Sequence, residues 1–161
     1  MSIDRRRLLE LTGMSALAAL IGCAPEASEA AQTFPFKLTD AQWKSRLSPA
    51  QYNILRQEGT ERPYSSPLNA EKRKGVFACA GCGQPLFLSS TKFESGTGWP
   101  SFYAPRPGAV VNRTDRSLMM TRTEVLCSRC GGHLGHVFDD GPPPTGKRYC
   151  MNGVAMTFRP A

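Results

Sequence analysis

Cys127-Ser128-Arg129-Cys130-Gly131-Gly132-His133-Leu134-Gly135-His136-Val137-Phe138 is the stretch on which the fold turns. It opens with a CxxC pair, and an earlier pair, Cys79-Ala80-Gly81-Cys82, has the same spacing. Zinc takes four thiolates in a tetrahedron at about 2.3 Å, and each CxxC turn brings two sulfurs to one side. A glycine follows Cys82 and Cys130 directly, as tight knuckle turns favour. The pairs therefore predict a structural zinc held by Cys79, Cys82, Cys127 and Cys130, with a folded segment inserted between the knuckles. The competing reading is two or three disulfides, as exported chains often carry.

Texture around the knuckles is β. Gly75-Val76-Phe77-Ala78 and Pro85-Leu86-Phe87-Leu88 flank the first, while Ser117 to Leu126 and Gly135-His136-Val137-Phe138 read as strands. Gly141-Pro142-Pro143-Pro144-Thr145-Gly146 reads as a loop. Before the strands, Thr39-Asp40 and Ser48-Pro49 are helix-start signals, each opening a short helix. In the last strand, alternation puts Arg148, Cys150 and Asn152 on one face and Tyr149 and Met151 on the other. The apolar set Val154, Met156 and Phe158 has the opposite parity, which makes Gly153 a candidate β-bulge.

Arg5-Arg6-Arg7-Leu8-Leu9 followed by a mainly apolar run to Gly22 reads as an export leader. At about 12 residues the run suits a signal h-region better than a membrane span. Arg-Arg-x-Leu-Leu is similar to a twin-arginine address. Leu20-Ile21-Gly22-Cys23 is similar to a lipobox that would lipidate Cys23, and ordinary cleavage near Ser28-Glu29-Ala30 is the equal alternative. Residues 1–33 are thus read as signal and linker, and 34–161 as one domain lying outside the cytoplasmic membrane, in the periplasm. Export by this route carries chains already folded in a reducing compartment, which favours zinc over disulfides. The formal net charge is +7, with its densest run at Lys72-Arg73-Lys74 and no basic stripe, so a nucleic-acid surface is not expected.

Cys150 is left over from the knuckles, downstream of the chain's only two histidines, His133 and His136. A buried cysteine often serves as a small apolar residue. Here it shares a strand face with Arg148 and Asn152, and a thiolate nucleophile wants a positive field and a proton donor nearby. The histidines could also ligate zinc or simply pack in the core, although four thiolates leave zinc no need of them.

Gly59-Thr60-Glu61-Arg62-Pro63-Tyr64, the Cys79 knuckle, Ser95-Gly96-Thr97-Gly98-Trp99-Pro100-Ser101-Phe102, the Cys127–Phe138 stretch and Arg148-Tyr149-Cys150-Met151-Asn152 occur in that order. Together they resemble the methionine-R-sulfoxide reductases (MsrB) across residues 34–161. The resemblance implies a mainly β fold of two antiparallel sheets with short N-terminal helices, and a structural zinc remote from the site. It also implies reduction of protein methionine-R-sulfoxide by Cys150 as nucleophile. His136, His133 and Asn152 carry over as polar site residues, Arg148 as electrostatic support, and Trp99 as the wall for the substrate methyl, with Thr97 beside it. Many members have a resolving cysteine where this chain has Thr97, so the expected oxidised state is a Cys150 sulfenic acid. An external donor such as a thioredoxin-like protein would recycle it, and the chain is expected to be a monomer. The rival class is a zinc-ribbon-like binding module, which would show no turnover.

Overall fold

The computed structural model describes residues 32–161, and the leader with Cys23 lies outside them. Helix α1 (Asp40–Arg46) starts at Thr39, whose hydroxyl accepts from the Gln42 amide while the Gln42 side chain accepts from Thr39 N–H. Helix α2 (Pro49–Gln57) repeats the reciprocal cap with Ser48 and Gln51. Each cap contributes about 1 kcal/mol, which lets helices this short hold. Their inner faces bury Trp43, Ile54 and Leu55.

Nine strands follow among the described residues, in two antiparallel sheets. One has the order β2 (Pro85–Leu88), β1 (Gly75–Cys79), β9 (Met156–Pro160). The other runs β3 (Lys92–Phe93), β4 (Ser101–Phe102), β8 (Arg148–Met151), β7 (His133–Phe138), β6 (Arg122–Cys127), β5 (Val110–Asp115). Phe102 of the larger sheet stacks on Phe87 of the smaller at 4.3 Å between centroids and meets Phe77 edge-on at 4.9 Å. All three are fully buried, and burying a side chain of this size contributes about 1.5–3 kcal/mol. No helix among the described residues is long and apolar enough to cross a membrane.

Two expectations need correction. The strand read over Ser117 to Leu126 begins only at Arg122, because Ser117–Met119 forms a 3-10 turn. The Asp115 carboxylate accepts from the Ser117 amide at 2.8 Å and turns the chain before a strand can start. Gly153 is not a bulge either. Strand β8 stops at Met151, and Gly153–Ala155 is a 3-10 turn that carries the chain into the other sheet. The parity change is that change of sheet. A Cβ on Gly153 would come within 2.0 Å of Ser66 Oγ, so the turn is packed too closely for any other residue.

Candidate active site

Cys150 lies on β8 between Ser101 of β4 and His136 of β7. Strand β7 reaches this register through Gly135, at φ +153°, where a Cβ would meet the Cys150 carbonyl oxygen at 2.1 Å. A cleft of about 150 Å³ opens above the thiol, with Trp99 and Phe138 as apolar walls and His136, Arg122 and Asn152 as its polar groups.

Burial pushes the Cys150 thiol above its ordinary value, against the pull of the Thr97 hydroxyl, 3.9 Å from Sγ, and of Arg148. Arg148 gives the electrostatic support expected of it, lowering the thiol's proton affinity, although its guanidinium is shared. It makes two 2.9 Å hydrogen bonds to Asp140 and lies 4.5 Å over the Phe138 ring. The Asp140 carboxylate cancels part of its field at the sulfur.

His136 Nε2 stands 2.8 Å from Asp115 Oδ2, which Arg122 also engages at 2.6 Å. Burial lowers the imidazole below its usual range although Asp115 works to raise it. Ser117 and His136 in turn hold Asp115 well below the usual carboxylate range. His133 does not line the cleft. It is buried behind, its ring centroid 5.5 Å from that of His136 and its Nδ1 2.7 Å from Glu124 Oε1. Burial pushes Glu124 up, yet His133 and Arg113 together hold it below its ordinary value.

Asn152 is buried and fully engaged. Its Nδ2 donates to Leu134 O at 3.2 Å and its Oδ1 accepts from the Glu61 amide at 3.0 Å. Glu61 fastens the whole corner. Its carboxylate accepts from the Gly153 and Val154 amides at 2.5 and 2.9 Å, and its carbonyl accepts from Trp99 Nε1 at 3.1 Å. Tyr64 steadies the neighbouring loop, its amide donating to Gly98 O and its hydroxyl to Gly96 O, each at 2.7 Å. Cys150, His136, Asn152 and Trp99 therefore share one cleft with Thr97 at its edge, while Arg148 and His133 support it from outside.

Glu61, Asp115, Glu124 and Asp140 were not singled out from sequence. Their roles depend on cross-strand register or on a loop crossing, and the only linear hint was the inclusion of Glu61 in the Gly59–Tyr64 run.

The four knuckle cysteines form a separate cluster and line no part of the cleft. Their sulfurs all lie within 4.8 Å of one another, with Cys79 3.7 Å from Cys130 and Cys82 3.5 Å from Cys127. A tetrahedron with bonds of about 2.3 Å has sulfur edges of about 3.8 Å, whereas a disulfide needs about 2.05 Å. The donor set fits a metal ion, and all the cysteines of the described residues are free. Gly83 and Gly131, at φ +75° and +68°, supply the left-handed turn that closes each knuckle.

Residues 47–160 match the SelR domain model. A relative named peptide methionine sulfoxide reductase MsrB from Agrobacterium fabrum is 56% identical over 123 residues, covering 76% of this chain and 91% of the relative. Relatives of the same name from Methanosarcina barkeri and Thiobacillus denitrificans are 59% and 58% identical, covering 75% and 76% of this chain and 86% and 93% of their own lengths.

Proposed function

The chain belongs to the SelR-domain family of peptide methionine sulfoxide reductases, MsrB, and from that membership we propose that it reduces the R epimer of methionine sulfoxide in proteins through Cys150. The observation that carries this reading is the Cys150 thiol at the floor of a cleft walled by Trp99 and Phe138, with His136 opposite on the neighbouring strand. The apolar walls suit the substrate's methyl and methylene groups, and the histidine suits its oxygen.

The Cys150 thiolate attacks the sulfoxide sulfur. The oxygen takes a proton from His136 Nδ1, the nitrogen left free by the Asp115 pairing, and passes as hydroxide from the substrate sulfur to the Cys150 sulfur while the S–O bond and the newly formed S–S bond both break. The substrate leaves as methionine, reduced by two electrons, and Cys150 becomes a sulfenic acid. One external thiol displaces water from that sulfenic acid, and a second releases Cys150 and a disulfide. Thr97 offers no thiol for the first of these steps, which favours a protein donor of thioredoxin type. Asn152 and Glu61 hold the floor and the Trp99 wall, and His133 packs behind His136.

Zinc is the ion proposed for Cys79, Cys82, Cys127 and Cys130, on the strength of the all-thiolate donor set and its edge lengths. Bound there, it would stabilise the fold and take no part in the reaction. The leader residues support a location outside the cytoplasmic membrane, with Cys23 either lipidated or removed.

Methionine-R-sulfoxide and methionine-S-sulfoxide, each supplied with dithiothreitol, test the reading. Turnover of the R epimer alone, abolished in Cys150→Ser, is expected, and comparable turnover of the S epimer would refute it. His136→Ala should lower kcat/KM by about 10²–10⁴-fold, the usual contribution of a positioned acid. Its metal content should not change.

A further inference from the structure

The four methionines of the described residues divide sharply. Met151 and Met156 are 0% and 4% exposed, whereas Met120 is 55% and Met119 103% exposed. The exposed pair sits on the tip between β5 and β6, with Met119, at φ +56°, closing the 3-10 turn and Met120 following it. The base of this hairpin is the pair Asp115 and Arg122, which is tied to His136 at the mouth of the cleft.

We propose that Met119 is an oxidation site that the enzyme itself repairs, one copy acting on the exposed hairpin tip of another. The inference rests on the reductase reading above. A thioether open to solvent on all sides is the methionine of this domain that a peroxide reaches first. Peroxide transfers one oxygen to the sulfur and leaves as water. Repair returns that oxygen to Cys150 as a sulfenic acid, and two donor thiols then remove it as a second water with formation of a disulfide.

Shape decides which methionine can be repaired. The sulfoxide sulfur must come into bonding contact with Cys150 through a cleft of about 150 Å³. A side chain standing off a turn can enter such an opening, while one pinned between two sheets, as Met151 is, cannot. The full exposure of Met119 also places it outside its own cleft, and the hairpin base is held there by His136. A second copy must therefore provide the thiol.

In the test, full-length Cys150→Ser protein is treated with hydrogen peroxide and mapped by peptide mass for a gain of one oxygen at Met119. It is then incubated with dithiothreitol and a catalytic amount of untreated wild-type protein, with free methionine-R-sulfoxide added to the same tube. The oxygen-bearing Met119 peptide should fall by about half, because only one sulfoxide epimer is a substrate. It should stay constant where wild type is omitted. Met119→Leu protein should lack the signal while reducing the free sulfoxide at the wild-type rate. If Met119 takes up no oxygen, or stays oxidised while the free sulfoxide is reduced, the inference is overturned alone. Failure to reduce either substrate overturns the reductase reading and the inference with it.

Discussion

At Cys150 and His136, burial drives two proton affinities apart, the thiol above its ordinary value of 9.0 and the imidazole below 6.5. The reactive arrangement carries one proton on the pair. Its population is flat while one proton is bound, falls when a second adds at low pH, and falls when the last leaves at high pH. The dependence of kcat/KM on pH is therefore expected to be a bell with a flat top wider than the interval between those two values. A sharp optimum inside it would remove His136 as the proton donor. Asp115→Asn takes away the carboxylate that raises His136, so the acid limb should move to lower pH. Thr97 sets a second expectation, since its Oγ1 is 3.9 Å from the sulfur. After one turnover without reductant, the protein should release about one methionine per chain, and a dimedone-type reagent should label Cys150. Thr97→Cys should replace that label with a disulfide to Cys150. An internal disulfide in the unsubstituted protein, with its metal retained, would contradict recycling by an external thiol.

The element that turns a strand end into a site is the Gly153–Ala155 turn together with the Glu61 segment laid across it. Glu61→Ala leaves two amides without their acceptor and unfastens the segment whose own backbone carbonyl and amide hold Trp99 and Asn152. Losing such a half-buried acceptor costs up to about 1–3 kcal/mol. Urea unfolding should show that loss, and KM for the sulfoxide should rise, since Trp99 is a wall of the cleft rather than a reacting group. These elements also show how far the sequence could be read. Thr39 and Ser48 announce their helices because a cap is a local device spanning three residues. The CxxC pairs announce a four-cysteine cluster because geometry within each knuckle is local too. Alternation along β8 puts Cys150 on the face opposite the buried Met151, while Asn152 lies beyond the strand's end. What stayed hidden is non-local. Asp115 meets His136, and Glu124 meets His133, only once three strands are in register. Gly153 was misread because parity reports a change of face and cannot report a change of sheet. Ser117 looked like strand until the carboxylate two residues earlier bent it.

On the scale of the whole molecule, the four-cysteine cluster is a joint. Cys79 ends β1 of the small sheet and Cys82 lies in the turn toward β2, while Cys127 ends β6 of the large sheet and Cys130 lies in the turn before β7. An ion bound there ties the two sheets where β1 and β6 end, as the aromatic stack ties them inside. Binding of structural zinc is coupled to folding with about 10 kcal/mol or more, comparable with the entire stability of a domain at about 5–15 kcal/mol. Metal analysis should find one zinc per chain, and Cys127→Ser or chelation should leave the domain largely unfolded at room temperature. Folded, active protein without metal would refute this. The joint also dictates an order of events during synthesis. Its halves are far apart along the chain, with Cys82 and Cys127 separated by 45 positions. A nascent chain therefore presents two thiolates long before it presents four, and an ion picked up early is held by half a set of ligands. Loading becomes secure only after Cys130 has left the ribosome. A chain threaded unfolded into an oxidising space would arrive with its thiols bare and open to wrong pairing. Under the export proposed above, a chain that matures first travels with its ion already locked in.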